Sequence, residues 1–490
     1  MTPPVERRED RPLLTGQGTF IDGLRLPELE GALHAVFVRS IEPHGTLVSV
    51  DTTEATAMRG VAAVLTGADL TDVWVLPPRL PSANRAMFRP MMAQGTVRFV
   101  AELIAVVLAE TREQAADAAE AVIVDTEPLP PVIGVDAALK GDVVLHAGAD
   151  TNVSFEWSMP PFEADPFAAC DIVDEFTIRH PRLHAGPLEP RAGAAVWGAD
   201  GRCTAWVCSQ RPAGAKHVIE CALGLPPGTV RAIAPNVGGG FGAKGGYGCQ
   251  PEDVILAWAA RRVGRPVRWV ETRSESMLAM GHGRASTHHV RLGGTRDGKV
   301  LAYEVTATQD SGAYPAMGTF ITTNLRNSGT GVYAIPTARV SGRSVVTNTS
   351  STMALRGAGR PEAACSIERA MDRFAARLGL DPVEVRRRNL VPEDAFPYKT
   401  ATGSTYDSGR YAEALERCVR AAAYDALRTE QATRRRQNDT LRLGIGVSCT
   451  VEITGGGEGE RASVSVDADG AVTLVVGTAP HGQAHETTFA

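Results

Sequence analysis

The residues best suited to chemistry in this chain form one glycine-rich segment, residues 236–246, which reads Asn-Val-Gly-Gly-Gly-Phe-Gly-Ala-Lys-Gly-Gly. These glycines follow a run rich in β-branched residues that begins at Thr229. Because glycine has no Cβ atom, such a loop allows positive φ angles and lets backbone N–H groups approach a ligand closely. Loops of this kind usually bind a phosphate or another polyanion. The segment therefore predicts a site for a group rich in hydrogen-bond acceptors.

Several interpretations of this loop compete. A Walker A loop requires Ser or Thr after its lysine, and Lys244 is followed by Gly245, which excludes that motif. The dinucleotide fingerprint matches twice within 238–245, and a helix, a strand and Glu271 follow in the order of a Rossmann unit. However, that helix is predicted only from about residue 252, whereas the fingerprint should open its helix directly. A flexible glycine turn without a ligand is the remaining alternative.

Length and composition predict a globular protein of about three domains. The chain has 490 residues, of which 43% are hydrophobic and 22% are charged, as in ordinary soluble proteins. Its net charge of −6 offers no field for holding nucleic acid. The charged, proline-containing start is unlike a secretory signal, and no apolar run approaches the roughly 18 residues of a membrane span. We therefore expect a cytoplasmic protein that has no membrane span and binds no nucleic acid.

Cysteine and histidine spacing predicts neither an iron–sulfur cluster nor a metal-binding helix. The eight cysteines include no C-x-x-C pair and no ferredoxin-type spacing. His288 and His289 lie in an alternating segment, which is more typical of a strand face than of a metal site. If this chain takes part in redox chemistry, its electrons must leave through another polypeptide.

Hydrophobic patterns divide the chain into three regions, with boundaries at 1–145, 150–395 and 405–490. In the first region the predicted elements are strands at 33–38, 62–65 and 103–107, a helix at 112–122 and a strand at 122–125. The second region holds the glycine loop and a helix near 252–263. Near its end, a helix stops at Gly379 and another starts at Asp381 as its N-cap. The third region is predicted to carry a helix and then strands after Leu443.

Several segments, taken in order, resemble one protein family. Residues 8–16 and 37–44 resemble the start of the large, molybdenum-binding subunit of the xanthine dehydrogenase / aldehyde oxidase family. Ser-Gln-Arg-Pro at 209–212, the glycine loop, Leu-Arg-Gly-Ala-Gly-Arg-Pro-Glu-Ala at 355–363, the helical stretch 367–390 and His-Gly-Gln-Ala-His-Glu-Thr at 481–487 follow in that family's order. Each motif is weakly specific alone. Together, in this order and with family-like spacing, they are strongly specific, and the resemblance covers essentially the whole chain.

This resemblance implies an α+β fold and a cofactor. An N-terminal α/β hammerhead-like domain at 1–145 would precede mixed α+β molybdopterin-binding domains, the first at 150–395 and an incomplete second one at 405–490. The implied cofactor is molybdenum held through molybdopterin, in bacterial members usually as the cytosine dinucleotide form, with no direct protein ligand to the metal. Backbone N–H groups and Gln or Arg side chains are suitable donors to its pyrophosphate and oxygen atoms.

The resemblance also assigns site residues. Gln210 would hydrogen-bond an oxygen ligand of the molybdenum, while Phe241 and Gly242 would lie against the metal and Arg356 would reach the cofactor. The other implied cofactor-binding residues are Gly240 in the glycine loop and Gly482, Gln483 and Ala484, which would hold the pterin or its nucleotide. Singly, these residues have simpler interpretations, such as a surface amide, a core aromatic, an ion pair or a turn.

Three departures from the family pattern predict the substrate pocket. Gly245 stands where purine-oxidising members carry a glutamate, and Ala358 stands where they carry an aromatic residue that sandwiches the substrate. Gly357 stands where carbon monoxide-oxidising members carry the cysteine that holds copper. An aldehyde or an N-heterocycle in a fairly open pocket is therefore expected, rather than a purine or carbon monoxide.

By resemblance, the activity is a hydroxylation with water as the oxygen source. Electrons would pass to a small 2Fe–2S subunit and an FAD subunit, in a dimer of heterotrimers. The family's glutamate general base is expected beyond Ala490, so we predict no catalytic residue within this chain, which would be a fragment that is inactive alone. The alternatives are a nicotinamide-dependent dehydrogenase with a Rossmann loop at 238–245 and a non-catalytic half-subunit completed by another chain.

Overall fold

The computed structural model describes residues 6–73, 84–246, 250–453 and 459–490. Its strands, numbered in chain order, are β1 Leu33–Arg39, β2 Gly45–Asp51, β3 Val61–Thr66, β4 Thr96–Val97, β5 Leu103–Ala109, β6 Ile123–Pro128, β7 Val153–Ser158, β8 Ile172–Leu183, β9 Ala192–Trp197, β10 Cys203–Val207, β11 Val230–Ile233, β12 Val267–Val270, β13 Gly283–Gly294, β14 Val300–Asp310, β15 Thr337–Val345, β16 Tyr398–Lys399, β17 Thr405–Tyr406, β18 Ala462–Val466 and β19 Val472–Val476. Its α-helices are α1 Asp10–Leu14, α2 Thr53–Ala57, α3 Arg112–Glu120, α4 Val135–Lys140, α5 Pro212–Ala222, α6 Pro251–Val263, α7 Arg273–Ala279, α8 Thr322–Ser328, α9 Arg360–Leu378, α10 Pro382–Asn389, α11 Tyr411–Ala421, α12 Tyr424–Arg436 and α13 His485–Thr488.

The largest sheet joins strands from two distant parts of the chain. Its seven strands lie in the order β11-β10-β9-β12-β1-β5-β3. β1 runs parallel to β12, with Leu33 beside Val267, and antiparallel to β5. Every residue of β5 is buried, as expected of a strand covered on both faces. One hydrophobic core therefore includes residues of both the first and the second predicted region.

Helix α6 covers one face of this sheet and follows the glycine loop in sequence. Pro251 is its first residue and Gly264 ends it in the left-handed conformation, which are favourable positions for these two residue types. Ile255 and Trp258 are buried in the same core as Val267. The helix predicted near 252–263 is thus confirmed, and it begins well after the fingerprint glycines.

A second core lies between the five-stranded sheet β7-β15-β14-β13-β8 and helix α9. Ile367, Met371 and Phe374 are fully buried on α9. Gly379 ends the helix with φ of 68°, and the Asp381 side chain accepts the N–H of Val383 at the start of α10. The predicted stop and start are confirmed here, as is the strand position of His288 and His289 on β13.

A small three-stranded sheet, β4-β2-β6, accompanies the first part of the chain. Helix α3 packs its buried Ala115 and Ala118 against Val107 of β5. The small alanine side chains let the helix approach the sheet closely. The predicted helix at 112–122 and strand at 122–125 are found as α3 and β6.

The last part of the chain is more open than the rest. Leu415 and Tyr424 attach α11 and α12 to the second core. Strands were predicted directly after Leu443, but this prediction is wrong for residues 444–453, which form no regular strand. This segment packs its side chains on the second core, and Val447 O accepts a hydrogen bond from Arg386 Nη2 at 2.7 Å. Among the described residues β18 and β19 pair only with each other, and the side chains of this hairpin are mostly exposed. None of the helices in the described ranges has the length and apolar character to cross a membrane.

Candidate functional site

Gln210 is held against the glycine loop by two contacts. Its Oε1 accepts the N–H of Gly242 at 2.8 Å, and its own backbone N–H donates to the Lys244 carbonyl at 3.0 Å. A Cβ atom at Gly240 would lie 2.4 Å from Gln210 Cδ, so only glycine allows this close packing. Because Oε1 is occupied by the loop, the amide NH2 is the group left to bind a ligand.

The segment 354–358 packs backbone to backbone on the same loop. The Arg356 N–H donates to the Phe241 carbonyl at 2.9 Å, and a Cβ at Gly242 would lie 2.7 Å from the Ala354 carbonyl oxygen. Arg284 on β13 also holds this segment in place, because its guanidinium donates to the Arg356 carbonyl at 2.8 Å. The structure thus brings together the predicted residues Gln210, 240–245 and 356–358.

Three of the four predicted site segments, all but the one with Gln210, contain one non-glycine residue in the left-handed region. Phe241 has φ of 52°, Ala358 has φ of 44° and Ala484 has φ of 59°. Residues with side chains adopt such angles at a cost of about 1–3 kcal/mol, and they concentrate at functional sites. Phe241 is also 39% exposed, so it is not the core aromatic that its residue type alone would suggest.

The glycine loop, Gln210 and Arg356 carry hydrogen-bond donors that have no acceptor among the described residues. Among the described residues, no acceptor is bonded to the Gln210 amide NH2 or to the N–H groups of Gly240 and Phe241. The exposed Arg356 guanidinium likewise has no bonded partner within the described ranges. Unused donors at close backbone range match a ligand whose surface carries phosphate or oxo acceptors. The residues present therefore fit a pterin cofactor with anionic oxygens.

Glu189 clamps the loop from beneath, a role that sequence reasoning missed. Its Oε2 accepts the Gly238 N–H at 2.7 Å and the Lys244 Nζ at 3.1 Å, which ties the two ends of the loop together. Lys244 is buried, and it also donates to the Glu189 carbonyl at 2.7 Å. A loop lysine outside a Walker A motif needs an acidic partner, but the sequence offers 56 acidic residues and no local signal that selects this one.

The segment 481–487, predicted to hold the pterin or its nucleotide, is connected to the start of the chain. The Thr487 N–H donates to Glu9 Oε1 at 3.2 Å, and the Arg8 N–H donates to Thr487 Oγ1 at 2.9 Å. Gly482 and Gln483 are exposed. The hydrogen bonds of this segment do not join it to Gln210 or Phe241, so its assignment to the same site stays a prediction.

A buried charge network supports the loop from the sheet side. Arg191 Nε donates to Glu271 Oε1 at 2.9 Å, and Arg191 Nη1 donates to Glu252 Oε2 at 3.1 Å. Burial alone would raise the pKa of Glu252, but Arg191 and Arg39 outweigh that effect and lower it to about 2. Because Glu271 is paired with Arg191 and buried, it has no carboxylate free for a ribose, and the Rossmann alternative loses its support.

Asp253 in the first turn of α6 gives a test of this buried environment. Burial raises its pKa to about 7, against an ordinary value near 4. A carboxyl with a higher pKa in the folded state binds a proton on folding, so stability falls as the pH rises from about 4 to about 7. The variant Asp253→Asn should therefore gain about 1–3 kcal/mol at pH 8 and little at pH 4, measured by urea unfolding at both pH values.

In this variant the asparagine oxygen can still accept the Gln250 N–H, which donates to Asp253 Oδ2 at 2.9 Å. The exposed Asp117 provides the matched control, and Asp117→Asn should leave the pH dependence of unfolding unchanged. Equal stability of Asp253→Asn and the unmodified chain at pH 8 would contradict the raised pKa.

Three family models match this chain. The a/b hammerhead domain of aldehyde oxidase and xanthine dehydrogenase matches residues 15–130. Molybdopterin cofactor-binding domains match residues 145–390 and 417–490. The chain therefore carries domains of molybdopterin-binding proteins, in the order that the sequence motifs predict.

Known proteins agree with these models. The chain is 33% identical to the carbon monoxide dehydrogenase large chain of Hydrogenophaga pseudoflava, over 100% of this chain and 64% of that protein. It is 30% identical to the nicotinate dehydrogenase large molybdopterin subunit of Eubacterium barkeri, over 84% of this chain and 95% of that protein. The solved structure of quinoline 2-oxidoreductase from Pseudomonas putida 86 matches with a TM-score of 0.92 and 33% identity, over 98% of this chain and 63% of that one.

The fold, the geometry of the site and the similarity to known proteins together show that this chain is a molybdopterin-binding protein. The chain belongs to the xanthine dehydrogenase / aldehyde oxidase family, among the large subunits of the molybdenum hydroxylases. It spans less than two thirds of the length of the carbon monoxide dehydrogenase relative, of which it covers 64%. The predicted family and the predicted α+β fold with an N-terminal hammerhead domain are confirmed, as is molybdopterin as the cofactor of this family.

Proposed function

We propose that this chain supplies much of the cofactor site of an enzyme that hydroxylates an aldehyde or an N-heterocycle with water as the oxygen source. The observation that carries this proposal is the set of unused donors on the glycine loop and Gln210. When bound, the molybdenum group supplies a Lewis acid that makes an oxygen nucleophile available near neutral pH and takes up two electrons.

The chain's own residues would hold and orient that group. The Gln210 amide would donate to one of its oxygens, because the Gly242 N–H fixes the opposite end of the amide. Arg356 would neutralise anionic charge, since its guanidinium is exposed beside the loop. Gly482, Gln483 and Ala484 would hold the pterin or its nucleotide, which we propose to be the cytosine dinucleotide form. The proton acceptor would be a glutamate outside residues 1–490.

Partner subunits would complete the reaction. We propose a small 2Fe–2S subunit and an FAD subunit that receive the electrons, in a cytoplasmic dimer of heterotrimers. Relatives named as large chains or large subunits support such a division of labour. The described part of this chain contains no group of three His, Cys, Asp or Glu side chains placed to hold a metal ion.

Cofactor content tests the proposal. The intact complex should contain about one molybdenum per copy of this chain, and Gln210→Met should keep the metal while losing about 100-fold or more in kcat, as when one oriented donor is removed from a site. The exposed Gln437 gives the control variant Gln437→Met, which should behave like the unmodified complex. Elemental analysis measures the molybdenum content, and steady-state kinetics with an artificial electron acceptor measures kcat. An intact complex devoid of molybdenum would refute the assignment.

Substrate preference is a separate prediction. Gly245 and Ala358 lack the side chains that purine recognition requires, and Gly357 lacks the sulfur that would hold copper. We therefore propose that nicotinate or benzaldehyde has a larger kcat/KM than xanthine or carbon monoxide. Two relatives named for nicotinate and quinoline support an N-heterocycle. A clear preference for xanthine or carbon monoxide in a panel of all four compounds would overturn this assignment.

The half-subunit alternative also has one observation in its favour. The Eubacterium barkeri relative aligns over 95% of its own length, so it and this chain are of comparable extent. In that case a second chain would complete the site, and co-expression with it should be required for molybdenum to be retained. Retention of molybdenum by a complex without any second molybdopterin-binding chain would speak against this alternative.

A further inference from the structure

Backbone strain marks one point on strand β13, beside the predicted site loops. Arg284 and Ala285 are adjacent non-glycine residues, each with φ of 61°, in the left-handed region that side chains rarely adopt. Such conformations persist only where the surrounding contacts hold them, and they concentrate at functional sites. The buried Gln309 supplies one such contact, since its Nε2 donates to the Arg284 carbonyl at 2.6 Å. Strain that is held in this way indicates a function for the side chain of Arg284.

The Arg284 guanidinium binds two consecutive carbonyls of the segment 355–358. Its Nη1 donates to the Leu355 carbonyl at 3.0 Å, and its Nη2 donates to the Arg356 carbonyl at 2.8 Å. A guanidinium presents its donors in a rigid planar fork, whereas the ammonium group of lysine is a single point charge on a flexible stem. Arg284 therefore fixes the orientation of two peptide planes at once.

Both peptide planes turn their N–H groups away from Arg284, because the C=O and N–H of a trans peptide point in opposite directions. The first N–H, of Arg356, donates to the Phe241 carbonyl at 2.9 Å. The second N–H, of Gly357, has no acceptor within the described ranges. Arg284 therefore leaves a free backbone donor on the side of the segment that contacts the glycine loop.

Glu362 holds both Arg284 and the end of the same segment. Its buried carboxylate lies 3.4 Å from Arg284 Nη1, and its Oε2 accepts the Gly359 N–H at 3.1 Å. Asn324 Nδ2 donates to the Ala358 carbonyl at 2.7 Å. Hydrogen bonds to charged groups are stronger than those between neutral groups. The segment is thus anchored at its start by Arg284 and at its end by Glu362 and Asn324.

We infer that Arg284 and Glu362 are positioning residues for the proposed reaction. They set the segment 355–358 against the glycine loop, so that the Arg356 guanidinium and the Gly357 N–H are presented as donors to anionic oxygens of the cofactor. They act through this segment and not by contact with the reacting atoms. The inference rests on the proposed function, but the placement of the segment can be measured without turnover.

Replacing Arg284 by methionine in the intact complex should lower kcat by about 10- to 100-fold, with molybdenum retained and with little change in KM for benzaldehyde or nicotinate. The loss falls on kcat because the displaced donors act on the cofactor rather than on substrate binding. Arg182 gives the matched control, since it lies opposite Arg284 in the sheet and donates to the Ser350 carbonyl at 2.7 Å. Arg182→Met should lose comparable stability and keep its kcat. An equal loss of kcat in both variants would overturn the inference.

Hydrogen–deuterium exchange, followed by mass spectrometry, measures the placement of the segment directly. The N–H groups of Arg356 and Ala358 are both bonded, so they should exchange about tenfold or more faster after Arg284→Met, and at an unchanged rate after Arg182→Met. Unchanged exchange or unchanged kcat in Arg284→Met would overturn this inference alone. A complex without molybdenum would instead overturn the proposed function, and the exchange measurement would still report on the segment.

Glu362→Gln tests whether the two residues act as a pair. The glutamine oxygen can still accept the Gly359 N–H, so the substitution removes mainly the negative charge beside Arg284. It should lower kcat several-fold in the unmodified complex and cause no further loss in the Arg284→Met protein. Additive losses would show that Glu362 acts independently of Arg284 and would contradict the inferred pair.

Arg284→Lys replaces Arg284→Met if the methionine variant does not fold, as judged by its thermal melt. Lysine keeps the positive charge beside Glu362, but its single ammonium group cannot hold both carbonyls in the fixed geometry of the guanidinium. Arg284→Lys should therefore also lower kcat and speed the exchange of the segment. A lysine variant with the kcat and the exchange rate of the unmodified complex would refute the inference.

Discussion

Replacing Gly242 by alanine should abolish cofactor retention and lower kcat/KM by about 100-fold or more, while the protein stays folded. The new Cβ would lie 2.7 Å from the Ala354 carbonyl oxygen, at a φ of 92° that side chains rarely adopt. To relieve the clash, the loop must move away from the segment that carries Arg356. A displacement of about 1 Å at a reacting centre can cost 100-fold in rate. Molybdenum per chain and kcat/KM are the two measurements.

Gly264→Ala is the matched control for this variant. Gly264 ends α6 with φ of 66°, and a Cβ there would meet nothing within 4 Å. The Gly264→Ala variant therefore has the backbone strain without the clash. It should lose about 1 kcal/mol of stability and retain its full cofactor content. If both variants retained the same amount of molybdenum, close packing at Gly242 would not be what holds the site.

Replacing Arg191 by methionine should destabilise the protein by about 3–5 kcal/mol, because it leaves buried carboxylates without their partner. Glu271 would lose its bonded guanidinium, while Glu252 would keep its ion pair with Arg39, at 3.1 Å. Because methionine fills a volume similar to that of arginine, the loss of stability would come from the missing charge rather than from poorer packing. The penalty should shrink as the pH falls toward 4, since the orphaned carboxylates can then take up protons. Urea unfolding at pH 7.5 and pH 4.5 measures both effects.

The exposed Arg231 on β11 is the control for the charge change. Arg231→Met should alter the free energy of unfolding by less than about 0.5 kcal/mol, as surface changes usually do. An Arg191→Met protein as stable as this control would show that the network contributes nothing to the support of the sheet.

Local elements were predictable because their signals are local. Pro251 marks the start of helix α6 and Gly264 marks its end. Gly379 ends α9 and Asp381 caps the start of α10, and all four positions follow from backbone preferences that are visible in the sequence. The site loops were found by resemblance, through the order of their motifs. Their type of chemistry followed from residue types, since glycine N–H groups, Gln210 and Arg356 are all donors.

Long-range pairing was not predictable by these means. Nothing near Leu33 indicates that it lies beside Val267, because hydrophobic patterning identifies a strand and not its neighbour. Glu189 was missed for the same reason, since its function depends on packing against Lys244.

The shared seven-stranded sheet has a consequence for synthesis on the ribosome. β1, β3 and β5 are translated long before β12, the strand that completes the far edge of β1. The nascent chain must therefore carry an unpaired, strongly apolar strand edge until the later segment emerges, and exposed edges invite wrong pairing. Contacts of such large sequence separation also form slowly. Chaperone protection of this strand edge during the interval should therefore raise the yield of folded protein.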